Sequence, residues 1–260
     1  MRMKYTIHLK TLDSGSNKQL KYRQILSGLT VLALMLFASV SQAETLPAFS
    51  ATYTVRYGVL RGEMSLKLQR GESGYVYQTS LRPRGLVGFL RPGLIDESTS
   101  FVVSDGQVLP CSYESTDTIA SPQRYTQYLF DQRPGLVTGT YKTKTVDEPT
   151  RPGGQNRISA HVAVMLALRT QSELTRISVF DRARWRDFDF VVEPAQRVST
   201  PLGDFEAVEV RYTSSKKNKS WSLYCAETLD YVPVMIVYRE DGKVKSRAQI
   251  RHHERIPAVR

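Results

Sequence analysis

Apolar and polar residues alternate with a period of two along most of this chain. In residues 49–57, Phe49, Ala51, Tyr53 and Val55 fall on one face of an extended segment, and the residues between them are polar or charged. This pattern is typical of an antiparallel strand with one buried face. Similar segments recur, with Asp-Gly turn signals at residues 105–106 and 241–242. The sequence therefore predicts about ten to twelve short strands, with residues 136–146 counted as one of them.

One segment departs from this alternation. Between residues 158 and 170, apolar residues recur close to the period of an α-helix, with Val162, Met165 and Leu166 on the apolar face. Asn156 or Ser159 is the candidate N-cap. We expect a mainly β fold, a single curved antiparallel sheet or open β-barrel, with this helix packed against or into it. The helix is then a plug or lid, and its apolar face contacts either other side chains or a ligand.

The first 43 residues have the composition of a secretory signal peptide. Basic residues at positions 18, 21 and 23 precede an apolar run over residues 25–38, and the small residues Ser41 and Ala43 match a cleavage site near Ala43. A retained membrane anchor is the alternative, although the run is short for a membrane span. We expect secretion to the periplasm and a single β-rich domain over residues 44–260.

Part of the positive charge belongs to that N-terminal segment. The whole chain has a net charge of +11, and residues 1–43 contain six Lys and Arg residues and one Asp, which leaves +6 for residues 44–260. Outside the cytoplasm we expect no nucleic-acid partner. The remaining charge fits a lipid headgroup, an envelope glycan or simple solubility, and an envelope protein is a further candidate partner.

Residues 82–94 interrupt the strand pattern with Pro and Gly and combine apolar with basic side chains. We expect a loop here that contacts a membrane surface peripherally or, alternatively, folds back over an open end of the sheet. The candidate membrane-contacting residues are Arg82, Arg84, Leu86, Phe89, Leu90 and Arg91.

The chain contains two cysteines, Cys111 and Cys225. In an oxidising compartment these residues are candidates for a disulfide bond. Two free thiols on separate strands are the alternative, because sequence spacing alone does not determine the geometry that a disulfide requires.

The sequence offers little support for catalysis. It contains no G-x-S-x-G elbow, H-E-x-x-H motif, G-x-G-x-x-G turn or P-loop. The adjacent His252 and His253 would point to opposite faces of a strand, so one metal ion could not readily bind both. His161, near the start of the predicted helix, has no partner set for catalysis. We expect no cofactor and no metal, and lean against an enzyme.

Glu97 is the most informative charged residue, because it falls on the apolar face of its predicted strand. A buried carboxylate there requires a cation or hydrogen-bond donors, and Arg124, Arg133 and Tyr113 are the candidates. The resulting cluster is either a structural anchor or a polar group in a ligand cavity. A hydrolase that uses Glu97 and Asp131 as an acid/base pair is the least favoured interpretation, and it requires the two carboxylates to face one groove.

Several segments together resemble the Gram-negative envelope family catalogued as domain of unknown function 3108. The resemblance covers essentially residues 48–250 and implies a secreted, β-rich domain with no established activity. Cys225 departs from the family's pattern, so a disulfide would be a trait of this chain. The segments that carry the resemblance are FSATY at 49–53, ESTSF at 97–101, LPCSY at 109–113, FD at 130–131, PLGDFEA at 201–207 and residues 221–234.

These observations favour a periplasmic, non-enzymatic protein that binds a hydrophobic or amphipathic ligand, such as a lipid or a lipid-linked glycan, within the curved sheet. A structural or partner-binding envelope factor with a packed core is the alternative. The candidate ligand-binding residues are Glu97, Tyr113, Asp131, Val162, Met165, Leu166 and Trp221.

Overall fold

The computed structural model describes residues 46–90, 92–133, 135–214 and 218–257, except for the side chains of Leu86, Val87, Leu90 and Ser214. Fifteen strands form one sheet. Their bounds are β1 Phe49–Tyr57, β2 Leu60–Gly71, β3 Gly74–Arg84, β4 Ile95–Ser104, β5 Gln107–Asp117, β6 Arg124–Asp131, β7 Leu136–Tyr141, β8 Lys144–Pro149, β9 Gln155–Asn156, β10 Arg176–Phe180, β11 Trp185–Thr200, β12 Gly203–Ser214, β13 Lys219–Ala226, β14 Val232–Glu240 and β15 Lys243–Arg255. Two α-helices, α1 Gly85–Leu90 and α2 Ser159–Thr170, and one 3₁₀ turn, Glu227–Leu229, complete the described elements.

The sheet is built from two meanders joined at the chain's first and last strands. Its order is β8-β7-β6-β5-β4-β3-β2-β1-β15-β14-β13-β12-β11-β10-β9, and the ladders within the described residues are antiparallel except for β9 with β10. The prediction of a curved antiparallel sheet with a helix packed against it is confirmed. The predicted strand number was too low. Residues 136–146 form two strands rather than one, because Lys142 adopts a positive φ of 56° and turns the chain.

Two side-chain hydrogen bonds connect strands near one edge of the sheet to strands near the other. Gln155 of β9 donates a hydrogen bond from Nε2 to the Val108 carbonyl of β5 at 2.7 Å. Trp185 of β11 donates from Nε1 to the Pro149 carbonyl at the end of β8 at 2.8 Å. These bonds link the two halves of the open sheet and supply partners for polar groups near its edges.

Helix α2 is fixed to the sheet where it begins. The Asn156 side chain accepts hydrogen bonds from the backbone N–H groups of Ile158 and Ser159 at 3.1 and 2.9 Å, which satisfies donors that a helix start leaves free. Its Nδ2 donates to Thr99 Oγ1 of β4 at 2.8 Å. Asn156 and Thr99 are both completely buried. The predicted helix is confirmed. Its N-cap position is Ile158, not Asn156 or Ser159, and the Asn156 side chain binds the helix start from two residues before that position.

The main core contains the apolar face of α2 together with large side chains from the first half of the sheet. Val162, Met165 and Leu166 are at most 2% exposed and belong to one cluster with Tyr53 and Tyr77, both fully buried. A smaller cluster on the other side of α2 contains Ala160 and Val164 of the helix and Val179, Val210, Leu223 and Cys225 of the sheet. The helix is therefore buried on two sides.

Residues 82–90 form the end of a strand and a short helix where a loop was predicted. Strand β3 continues to Arg84, where Arg84 pairs with Arg61 of β2, and α1 follows directly. Phe89 of α1 is 83% exposed. The side chains of Leu86 and Leu90 and all of Arg91 lie outside the described residues, as does the predicted signal peptide. Within the part of the chain that the structure describes, no helix is long and apolar enough to cross a membrane.

Candidate functional site

A cavity of about 480 Å³ lies between the N-terminal half of α2 and the concave face of the sheet. Its volume is within the range of about 300–1,000 Å³ typical of small-molecule sites. Strands from both halves of the sheet contribute to it. Leu66, Thr79 and Glu97 are successive partners across β2, β3 and β4, so the pleat directs their side chains to one face.

The second half of the sheet forms an aromatic wall, which we define as Phe188, Phe190, Tyr212, Trp221 and Tyr238. Phe190, Tyr212, Trp221 and Tyr238 are directly paired across four adjacent strands, β11 to β14. The Tyr212 and Trp221 rings stack with centroids 5.5 Å apart, and the Trp221 and Tyr238 centroids are 5.0 Å apart. Leu223 and Ile236 extend this surface. The wall offers a continuous apolar face to a ligand.

Glu97 anchors the charged part of the cavity. Its side chain is 10% exposed and accepts hydrogen bonds from Arg157 Nε at 2.9 Å and from Tyr113 Oη at 2.6 Å, and Arg157 Nη2 lies 2.7 Å from the same carboxylate oxygen. Thr79 Oγ1 donates at 3.4 Å. Burial and the Glu97 charge raise the pKa of Tyr113, so this phenol remains protonated and donates.

A second charged group lies at the partly exposed part of the cavity. Asp181 is flanked by Arg182 and Arg186, with N–O distances of 3.7 and 3.5 Å. Desolvation and the neighbouring arginines lower the pKa of Arg186. Its Nε atom is shielded from solvent and has no hydrogen-bond partner among the described residues. An unsatisfied buried donor costs about 1–3 kcal/mol, which an acceptor on a ligand would relieve.

Positive charge exceeds negative charge in this lining. Among the residues that the structure describes, the cationic side chains of the lining are Arg157, Arg182, Arg186 and Lys219, and the carboxylates are Glu97 and Asp181. Lys219 sits over the Tyr238 ring at 5.8 Å and is 2.8 Å from Glu240, next to the aromatic wall. The cavity therefore combines an apolar wall with a net positive charge.

His161 also lines the cavity, from the first turn of α2. Burial lowers its pKa to about 4, with Glu97 opposing and Arg157 adding to this shift. The imidazole is consequently neutral at pH 7. Its Nδ1 atom is shielded and lacks a partner among the described residues, which makes it a second polar group free to contact a ligand.

The structure brings together only part of the predicted ligand-binding set. Glu97 and Trp221 line the cavity, and Tyr113 acts through its bond to Glu97. Asp131 is exposed at the end of β6, where its carboxylate accepts from the backbone N–H of Arg133 at 3.0 Å. It lies outside the cavity lining, which removes the arrangement that a Glu97–Asp131 acid/base pair requires.

Val162, Met165 and Leu166 pack in the main core and are not part of the cavity lining. The residues of α2 that line the cavity are Ala160, His161 and Val164, together with Ile158 directly before the helix. Of the two alternatives for the cysteines, free thiols are correct. Cys111 is exposed on β5, whereas Cys225 is fully buried on β13, so their side chains do not meet.

Comparison with known proteins places this fold in a family. The family model described as "Protein of unknown function (DUF3108)" matches residues 51–248. The chain belongs to the DUF3108 family. Among solved structures, this DUF3108 protein is similar to a "Beta-barrel-like Protein of Domain of Unknown Function DUF1849 from Brucella abortus". That likeness has a TM-score of 0.56 at 12% identity and covers 82% of this chain and 99% of the other, and it supports the barrel-like fold alone. A search of curated proteins finds no match.

The arginines of the site were not among the residues predicted from the sequence to bind a ligand. Arg157 lies in the turn before α2, and its partner Glu97 is 60 residues away. Arg182 follows β10 in a turn where both Arg182 and Ala183 have positive φ angles. The clustering of Arg182, Arg184 and Arg186 along the sequence is the one local signal that could have drawn attention to this part of the cavity. Within the described residues, no cluster of His, Cys, Asp and Glu has the arrangement of a metal site.

Proposed function

We propose that this protein is a periplasmic, non-enzymatic binding protein for an amphipathic envelope lipid with an anionic head. The acyl or other apolar part lies on the aromatic wall. The head, a carboxylate or a phosphate, lies among Arg157, Arg182 and Arg186. The proposal rests on one observation: the same cavity is lined by an apolar wall and by a net positive charge.

The unsatisfied polar atoms support an anionic head. Arg186 Nε has no acceptor among the described residues, and Arg182 and Arg186 share the one carboxylate of Asp181. Arg guanidinium groups bind carboxylate and phosphate oxygens with charge-assisted bonds that are stronger than neutral ones. A bound anion would therefore both balance charge and satisfy a buried donor.

The arrangement of the carboxylates supports binding over hydrolysis. Glu97 is held by Arg157, Tyr113 and Thr79, so its oxygens already have donors. A general base must reach a substrate proton, and a carboxylate fixed in this manner is better suited to positioning Arg157. Glu97 is thus assigned as the residue that orients Arg157 toward the cavity.

The test is native mass spectrometry of the protein purified without detergent from its own envelope fraction, followed by organic extraction of the bound species. We expect a mass adduct that yields an acidic lipid. Ala160→Phe places a large ring into the cavity and removes the adduct. Ala167→Phe, on the same helix but outside the lining, is the matched control and retains it.

A wild-type protein that carries no adduct after this purification contradicts the proposal. Equal adduct in the Ala160→Phe and Ala167→Phe proteins contradicts the assignment of the cavity as the site. Circular dichroism of both variants checks that each retains its strand content, because overpacking a buried position costs about 1–3 kcal/mol.

A further inference from the structure

Three neighbouring segments at one end of the sheet carry exposed apolar side chains. Val59 in the β1–β2 turn is 95% exposed, Leu60 is 40% exposed, and Phe89 of α1 is 83% exposed. Tyr57 at the end of β1 is 52% exposed and Val244 at the start of β15 is 48% exposed. Large apolar side chains exposed at neighbouring turns indicate an interaction surface.

Strand pairing places these segments side by side. Tyr57 pairs with Ser246 of β15, and the backbone N–H of Gly58 donates to the Lys245 carbonyl at 3.3 Å. On the other flank Arg61 of β2 pairs with Arg84 of β3, which leads directly into α1. We call residues 56–61, 82–89 and 241–247 together the turn-end surface.

The turn-end surface is strongly basic. Its three segments contain seven Lys and Arg residues and one acidic residue, Asp241. Apart from the ion pair of Arg84 with Glu63 at 3.0 Å, the described residues provide these cations with no carboxylate within salt-bridge distance. The seven cations are Arg56, Arg61, Arg82, Arg84, Lys243, Lys245 and Arg247.

The lining of the cavity extends to this same end of the sheet. Tyr238 of the aromatic wall pairs with Ser246, the residue of β15 that also pairs with the exposed Tyr57. Lys219, another lining residue, pairs with Glu240 beside the β14–β15 turn. The lining thus extends to within two strands of the exposed apolar turn.

We infer that the turn-end surface docks on an anionic lipid surface. Val59, Leu60 and Phe89 enter the interfacial region, and the surrounding Arg and Lys side chains contact acidic headgroups. This combination of apolar tips and basic flanks matches the chemistry of a membrane leaflet, which presents negative charge above an apolar layer. Docking in this orientation would bring the cavity close to the bilayer. The use of that position for lipid binding rests on the proposed function, whereas the docking itself is independent of it.

Vesicle co-sedimentation of the purified protein tests this inference. One vesicle population is phosphatidylcholine alone, and the other contains phosphatidylglycerol as about one third of its lipid, so that only the second is anionic. We expect binding to the anionic vesicles that weakens as salt screens the basic residues. The double variant Val59→Ser/Phe89→Ser should bind about tenfold more weakly, since it loses both apolar tips.

Leu202→Ser is the matched control. Leu202 is an exposed apolar residue, 38% accessible, in the β11–β12 turn at the opposite end of the sheet. We expect it to bind anionic vesicles like the wild type. A second variant, Arg56→Gln/Arg61→Gln, should lose the dependence on phosphatidylglycerol in proportion to the charge removed. All substituted positions are exposed, so folding is maintained.

Wild-type protein that sediments equally with both vesicle populations, or with neither, overturns the inference. So does a Val59→Ser/Phe89→Ser protein that binds like Leu202→Ser. The lipid adduct measured by native mass spectrometry reports on the cavity alone. Its loss without any change in vesicle binding would refute the proposed function while leaving the docking surface intact.

Discussion

The protonation of His161 provides a test of how far solvent is excluded from its side chain in the cavity. Burial lowers its pKa to about 4, compared with an ordinary value of 6.5. Between these two pH values the unfolded chain takes up a proton that the folded protein does not. The stability contributed by the neutral imidazole is therefore fully present above about pH 6.5 and decreases as pH falls towards 4. At 1.36 kcal/mol per pKa unit, the total loss is about 3 kcal/mol.

The perturbation is His161→Leu, which removes the titrating group and keeps a side chain of moderate size. Urea unfolding of both proteins between pH 7 and pH 4.5 gives the free energy of unfolding at each pH. Carboxylates also titrate towards the low end of this range. Their contribution is shared, so the difference between wild type and variant isolates His161. The exposed His252→Gln substitution on β15 controls for loss of a histidine in general.

We expect the wild type to lose most of this 3 kcal/mol relative to His161→Leu as the pH falls. The His252→Gln protein should follow the wild type. If wild type and His161→Leu instead lose stability in parallel, the imidazole is hydrated and burial does not lower its pKa.

Three further substitutions or modifications test other parts of the structure. Arg157→Met should lower the free energy of unfolding in urea by about 2–3 kcal/mol, because it leaves Glu97 without its cation. Breaking a fully buried ion pair would lower it further, but the Arg157 side chain is 44% exposed. A loss below about 0.5 kcal/mol would show that solvent replaces the pair. Asn156→Ala should cost about 2 kcal/mol in the same assay, because it removes the bonds to the backbone at the helix start and the bond to Thr99 of β4, and an unchanged midpoint would contradict this. A maleimide should label the exposed Cys111 in the native protein, whereas the buried Cys225, whose pKa is raised by desolvation, reacts only in denaturant; a native mass without any label would indicate a disulfide.

The sheet could be predicted from the sequence because its signal is local. Alternation in segments such as residues 49–57 depends only on which side chains face the core, and strand β1 has that pattern in the structure, with Phe49, Ala51 and Tyr53 buried. The break within residues 136–146 was missed because Lys142, unlike Gly, gives no composition signal for a positive φ.

The side of the helix that faces the cavity could not be predicted. An amphipathic pattern identifies one apolar face, but α2 is buried on two sides, with Met165 in one cluster and Val164 in the other. Both residues are at most 1% exposed. Hydrophobicity alone does not distinguish a side chain that meets a packed core from one that lines a space.

The partner of Glu97 was predicted in part. Tyr113 lies on the neighbouring strand β5 with its hydroxyl 2.6 Å from Glu97, and strand alternation was sufficient to suggest it. Arg157 comes from a turn whose position depends on how the sheet curls, so its contact with Glu97 is a property of tertiary structure. The same holds for Arg186, which only the assembled barrel places at the cavity.

Binding of an anionic amphiphile along the aromatic wall can be measured directly, because the two tryptophans lie in different places. Trp221 stacks in the wall, whereas Trp185 bonds to Pro149 and packs on Phe180 in the main core, with ring centroids 5.0 Å apart. Trp185→Phe leaves Trp221 as the sole indole, and Trp221→Phe leaves Trp185.

Myristate is titrated into each single-tryptophan protein while indole emission is recorded, and tetradecanol serves as the uncharged counterpart. We expect a saturable change in Trp221 emission with myristate, a weaker response to tetradecanol, and no saturable change in Trp185 emission. An unresponsive Trp221, or the same response from both tryptophans, would show that the amphiphile does not bind along the aromatic wall.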